Sequence, residues 1–403
     1  MISARGVATG DCKTALAPSN SALERHSAPT VKYGVYVNNR AAVFMGEAFS
    51  LDRLLDNAVA AEQAGLDFAS VGDSILAKPR YMPIPVLSAI AARTTRLGLA
   101  TGILQPHMRH PVILAEDWAT LDVISGGRTM LGVGLGTGDP DMVAREYALV
   151  GIPKAKRGVA FDESIRLLKR LWTEDGVTFD GEVFRCQDIS IGYRPARQPH
   201  PPIVVACGGY VPKRAGFGPN DFYTEGTAGT FTGPFERVAR LGDGWLTGIV
   251  TPAEYAETLA HIRRRALEGY GRTLGPRFIA MVNLWICVGP SADAARREGQ
   301  TVLEAYQRRP FDEETIDRWL LSGAPEACAA RIAAYVSAGA NTFQFVIASE
   351  DQSGQIRVLA ERVLPLVPQM VAAADPVVVA TDRKSTRLNS SHVRLSVDRK
   401  SVV

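Results

Sequence analysis

The chain has 403 residues, and its 45 Lys/Arg against 42 Asp/Glu give a formal net charge of +3. That excess sits at one end: residues 382–403, whose DRKSTRLNSSH and DRKSVV strings resemble translated sequencing adaptor, hold six Lys/Arg and two Asp, and without them 39 basic and 40 acidic residues leave a net charge of −1. Charge therefore gives no nucleic-acid footprint, no apolar stretch has the length of a membrane span, and five scattered cysteines without CxxC spacing fit free thiols in a reducing cytoplasm.

Residues 1–30 are rich in Ser, Ala and Thr and lack the continuous apolar core of a secretory signal, so they read as a disordered extension or an upstream mis-start. Residues 375–403 read as a disordered tail, of which 382–403 is an adaptor artefact. Residues 31–374 are expected to hold one domain. That length is normal for an α/β barrel, which runs to about 250 residues before insertions.

From residue 31 the chain repeats one phrase: an aliphatic run, a polar or glycine stop, then a helix. VKYGVYV (31–37) predicts a strand, and Leu51, Leu54, Leu55, Ala58 and Val59 then recur at helical spacing, with Ser50 as N-cap and Gly65 as the left-handed stop. LDFASVG (66–72) predicts the second strand, followed by a helix over 85–93, a strand over 96–102, a helix over 111–123 opened by Pro111, and a strand over 129–136. Later strands are predicted at 201–209, 243–248, 277–289 and 341–349. Most are continuous apolar runs, as expected where both faces of a parallel sheet are buried. Eight such strands alternating with helices predict an α/β fold, a (β/α)8 TIM barrel with insertions. The insertions are a hairpin over 178–191 turning at Asp180-Gly181, a glycine-rich loop over 210–234 whose Phe217, Phe222, Tyr223 and Phe231 suit a lid over the pocket, and a segment over 308–323.

A barrel of this kind builds its active site at the carboxyl ends of its strands. There the sequence places Asn38 and Asn39, Asp73 and Ser74, Thr101 and Gly102, Gly136, Thr137, Gly138 and Asp139, and Gly208 and Gly209. The set contains no HExxH, Walker lysine or GxSxG, and the glycines of GVGLGTG fall at the wrong offsets for GxGxxG. Such an end suits an organic cofactor that carries its own chemistry, with glycines admitting backbone N–H groups to a phosphate or ring. From spacing alone the glycines are better read as tight strand-to-helix turns. Asp73 reads equally as a cofactor-orienting carboxylate or a cap, and Arg157 as a solvated charge or a phosphate ligand; His107 and His110 could form an HxxH metal pair or supply a base near the third strand, but His110 directly before Pro111 favours a structural role, capping or packing a helix start.

GVYVNN, AEQAGLDFASVGDSIL, the run from PVLSAIAARTTRLGLATG through RHP and LDVISGGR to LGVGLGTG, PPIVVACGG and LGDGW together resemble the bacterial luciferase-like flavin-dependent oxidoreductases over nearly all of residues 31–367. The resemblance implies a TIM barrel that binds FMN, often as a diffusible reduced substrate supplied by a separate flavin reductase, or the deazaflavin F420, and that often forms a homodimer. Carried over by position, it implies cofactor contacts at Asn38, Asp73, Thr101, Gly102, Gly136, Thr137, Arg157, Gly208 and Gly209. Many relatives have a proton-transferring histidine directly after the strand-two acid, where this chain has Ser74. A hydroxyl does not titrate near neutrality as an imidazole does, which argues against light emission and against F420-type sugar-phosphate dehydrogenation. The expectation is a cytoplasmic monooxygenase using reduced FMN and O2 on a small-molecule substrate. The alternatives are an F420-dependent hydride-transfer enzyme and a non-catalytic flavin-binding barrel.

Overall fold

The described residues form eleven strands: β1 (Lys32–Tyr36), β2 (Phe68–Val71), β3 (Gly98–Thr101), β4 (Thr129–Val133), β5 (Val177–Asp180), β6 (Arg185–Ile189), β7 (Ile203–Ala206), β8 (Gly244–Gly248), β9 (Ile279–Val288), β10 (Leu320–Gly323) and β11 (Thr342–Ile347). They come from a computed structural model that describes residues 31–136, 138–208 and 232–373. The expected extension at 1–30, the tail at 375–403, Thr137, Gly209 and the expected loop over 210–234 as far as residue 231 lie outside the described residues, and the last three residues of that loop begin helix Thr232–Leu241.

The sheet order β11-β1-β2-β3-β4-β7-β8-β9, with β9 also paired to β11, closes an eight-stranded parallel barrel. All eight are strands that the aliphatic runs predict. Two-sided burial explains their composition: β2 is buried at every residue, as is β11. Inside the barrel, Phe68, Ala100, Val204, Leu246 and Met281 pack together. Gly34 makes room for them, since a Cβ there would lie 2.5 Å from the Phe68 ring. The larger cluster lies outside, between strands and helices, and holds Trp118, Trp172 and Trp245.

Local signals set the helices. Ser50 Oγ accepts the Arg53 N–H at 3.4 Å to open helix Leu51–Gln63, and His110 Nδ1 accepts the Val112 N–H at 3.3 Å ahead of helix Pro111–Ser125. Thr251 and Glu254 form a reciprocal capping box on Pro252–Tyr270. The hairpin insertion is β5–β6, antiparallel, its loop held by Glu163, whose carboxylate accepts the N–H groups of Glu182, Val183 and Phe184. The third insertion forms helix Glu313–Trp319 and then β10, a ninth parallel strand hydrogen-bonded to β9 outside the barrel. No helix among the described residues is long and apolar enough to cross a membrane.

Candidate active site

All eight barrel strands, or the residues directly after them, send side chains or backbone into one cavity of about 550 Å³ at their carboxyl ends. Five of the nine expected cofactor contacts line it, Asp73, Gly102, Gly136, Arg157 and Gly208, as do Ser74 and Gly138 from the strand ends. Two others sit beside it. Asn38 Oδ1 accepts the Ala41 N–H at 3.0 Å and opens the short helix Ala41–Phe44, while Thr101 Oγ1 donates to the Gly132 carbonyl at 2.7 Å across the β3–β4 seam. Thr137 and Gly209 lie outside the described residues.

The segment after β2 is the most heavily bonded part of the wall. Asp73, its side chain 1% exposed, receives both arms of the Arg109 guanidinium at 2.7 and 3.0 Å and the Gln105 N–H at 3.0 Å. Ser74 Oγ donates to Glu146 Oε1 at 2.9 Å. The same Glu146 oxygen accepts the N–H groups of Ile75, Leu76 and Ala77 at 2.8, 2.6 and 3.0 Å, and Ser74 Oγ in turn accepts the Lys78 N–H at 2.9 Å. Ser74 is thus committed to anchoring its own loop through a buried carboxylate on helix Pro140–Leu149. Beyond the anchor, Arg80 donates from Nε to the Lys78 carbonyl and from Nη1 to the Tyr36 hydroxyl at 2.8 Å, and Lys78 and Arg80 both line the cavity. Burial and the nearby charges of Arg80, Arg40 and Arg309 pull the Lys78 ammonium down to about 7.

Side-chain amides and glycines form the floor. Gln344 sits on β11 and its Oε1 accepts the Ser70 hydroxyl at 2.8 Å; a Cβ at Gly102 would lie 2.2 Å from that oxygen. The Gly102–Ile103 peptide is cis. Gly136 has φ +78° and packs on Gln105, so a side chain there is excluded by conformation and by space alike. Thr247 Oγ1 is buried on the same cavity without a hydrogen-bond partner among the described residues.

The far wall is aromatic and cationic. Tyr147 donates to the Leu135 carbonyl at 3.2 Å, so its oxygen accepts from His107 Nε2 at 2.8 Å and leaves His107 Nδ1 buried and unpaired among the described residues. Burial pushes His107 down to about 3 and Tyr147 up to about 12. Lys154, Arg157 and Arg237 line this side; Arg237 is paired to Asp162 at 2.5 Å, whereas Arg157 is exposed at the start of helix Arg157–Thr173.

The sequence reading passed over Lys78, Arg80, Gln105, Arg109, Glu146, Tyr147 and Gln344. Gln344 left a signal, a lone amide in an otherwise apolar strand; Arg109 stands in the RHP of the resemblance but nothing beside it points to Asp73, 36 residues away, and Glu146 left none, its partner Ser74 being 72 residues away.

The sequence model described as Luciferase-like monooxygenase matches residues 31–216 and 228–342, and the chain belongs to that family. It is similar to the F420-dependent glucose-6-phosphate dehydrogenases of Kineococcus radiotolerans (30% identical over 353 residues, covering 80% of this chain and 94% of the relative) and Amycolatopsis mediterranei (30% over 335 residues, 79% and 95%). Among solved structures the fold matches the monooxygenase RslO1 of Streptomyces bottropensis at TM-score 0.67 and 24% identity, over 83% of this chain and 99% of that one. It matches an F420-dependent secondary alcohol dehydrogenase in complex with an F420–acetone adduct at TM-score 0.63 and 19%, over 84% and 99%.

Proposed function

We propose that this oxidoreductase moves hydride between F420 and a small organic substrate, the alternative cofactor reading above, in preference to using reduced FMN with O2. The observation that carries the reading is the 30% identity to F420-dependent relatives along nearly their whole length. The cavity supports it. Lys78, Arg80, Lys154, Arg157 and Arg237 give a basic lining suited to a cofactor with a long anionic tail, and the orphaned Thr247 hydroxyl with the Gln105, Gln344 and Asn283 amides suits the polar edge of a ring.

On this reading Gly102, Gly136, Gly208 and the amides hold the ring, Arg157 meets the phosphate, and the Asp73–Arg109 pair fixes the wall beside it. When bound, F420 supplies the two-electron acceptor. This chain's residues orient the substrate, exclude water with Tyr36, Trp285 and Trp319, and handle the proton. Ser74 is tied to Glu146, so the proton is handled elsewhere on the wall. A homodimer and a cytoplasmic setting go with this reading; the separate flavin reductase goes with the FMN one. The test is a titration of the protein with F420, FMN and reduced FMN, followed by tryptophan quenching. F420 should bind tightest, and FMN binding tenfold tighter than F420 would overturn the proposal.

A further inference from the structure

The cavity wall is unlike on two arcs of the barrel. Gly102, Gly136 and Gly208 follow β3, β4 and β7, which are consecutive strands, and leave bare backbone there. Strands β8, β9, β11 and β1 are consecutive too, and from them Ile249, Trp285, Val346 and Tyr36 enter the cavity, joined by Tyr306 and Trp319 from the chain between β9 and β10. All six are buried and pack in one cluster. The Trp285 ring lies 5.2 Å from Tyr306 at 57° and 5.9 Å from Trp319 at 72°, so the corner presents both ring faces and ring edges. Ile249 holds its place at φ +59°, a left-handed conformation that a β-branched residue keeps only where its surroundings fix it.

We propose that this corner is the substrate pocket and that it takes an alcohol, or the carbonyl compound formed from it, carried on an apolar ring. The proposal rests on the F420 reading and leaves its chemistry unchanged: the alcohol gives up a hydride from carbon and a proton from oxygen, a C=O bond remains, and reduced F420 holds both hydrogens. No further reactant is needed. The corner offers contact area but few partners for a hydroxyl-rich molecule. The Tyr36 hydroxyl is committed, donating to Asn39 Oδ1 at 3.3 Å and accepting from Arg80 Nη1 at 2.8 Å. Arg40, a second cation against the corner, donates to the Tyr306 carbonyl at 2.6 Å and lies 4.9 Å from the centre of the Tyr306 ring. A sugar or sugar phosphate bound there would bury several hydroxyls, and each one left unpaired weakens binding. An apolar ring brings no polar group into the corner and packs edge-to-face or offset against its rings.

The test is a binding measurement without turnover. The full-length protein, saturated with reduced F420 so that no alcohol is oxidised, is titrated by calorimetry with 1-phenylethanol, cyclohexanol, glucose and glucose 6-phosphate. Both apolar alcohols should bind about tenfold or more tighter than either sugar, with a negative heat-capacity change. Glucose 6-phosphate binding as tightly as 1-phenylethanol, or no binding of either alcohol at millimolar concentration, overturns the proposal. Trp319→Leu and Ile249→Gly then open the corner from two sides. Glycine accepts the left-handed backbone, so the strain released offsets part of the packing lost. Each variant should weaken 1-phenylethanol about tenfold and leave F420 affinity unchanged; unchanged 1-phenylethanol affinity, or an equal loss of F420, overturns the assignment. Should one variant not fold, the other decides together with the wild-type ranking. Failure of wild type to bind F420 overturns the cofactor reading, and the same ranking on the cofactor-free protein, read by tryptophan quenching, then decides the substrate class by itself.

Discussion

The segments that follow β2 and β4 face the same cavity and are built in opposite ways. After β2, Asp73, Ser74, Lys78 and Arg80 each have an identified partner, and the backbone over Ile75–Ala77 is held by a single carboxylate. After β4, Gly134, Gly136 and Gly138 leave bare backbone on the wall, and Arg157 has no ion pair among the described residues. Preorganisation matters where a proton must move between fixed atoms, because a small misplacement costs rate. Backbone access and a solvated cation matter where a flexible anionic group has to enter. The division sets a preorganised β2 side against an open β4 side.

The sharpest way to break the comparison is Arg109→Ala. It leaves the Asp73 carboxylate buried and uncompensated, and about 3–5 kcal/mol of stability should be lost in chemical denaturation, with Arg109→Lys recovering part. Unchanged stability would mean that the β2 side is not preorganised by this pair. Glu146→Ala should come next, at about 3 kcal/mol: four donors lose their acceptor, at about 1–3 kcal/mol for each one left unsatisfied, and the loop regains part by turning to water. Glu146→Gln should cost about half as much, and equal losses in the two variants would show that the charge, not the acceptor geometry, holds the loop.

On the other side the aromatic support is pH-sensitive in a definite direction. His107 has its folded value near 3, below the unfolded value of about 6.5, so the unfolded chain binds the extra proton between them. Its contribution is complete above pH 6.5 and falls by about 1.4 kcal/mol per pH unit as pH drops towards 3. His107→Gln, which keeps an N–H for Tyr147, should flatten the dependence of stability on pH between 6 and 4 by one proton; an identical slope would place His107 outside this linkage. The smallest effect is expected at Arg157→Ala: no change in melting temperature, and F420 binding weaker by about tenfold, or ~1.4 kcal/mol, with a shallower salt dependence. A destabilised Arg157→Ala protein would erase the contrast between the two sides.

The barrel was legible because its signals are local and repeated. Eight apolar runs, the Ser50 and His110 caps and the Pro111 start can each be read within a few residues. The glycines of the site were legible as glycines but not as neighbours of Gln105 and Gln344, since that packing exists only after the barrel closes. Ser74 was read as a vacancy in a proton path; the structure gives it a partner on a helix that begins at Pro140. β10 escaped the reading because LLSG is four residues long and follows a helix without a turn signal.

β9 changes partners along its length: Ile279–Asn283 pair with β8, and Trp285–Val288 pair with β10. Pairing with β11 continues along the other edge of β9 up to Ile286, so the addition occupies just the edge that β8 leaves open in the upper half. The chain between β9 and helix Pro325–Ser337 contributes Tyr306, Gln307 and Trp319 to the cavity without entering the closing register. The same residues tie the cavity wall to the core, because Tyr306, Ile316 and Trp319 pack with Tyr36, Trp285 and Val346 of the barrel strands, so a substitution in this stretch alters the wall and the packing of the barrel together.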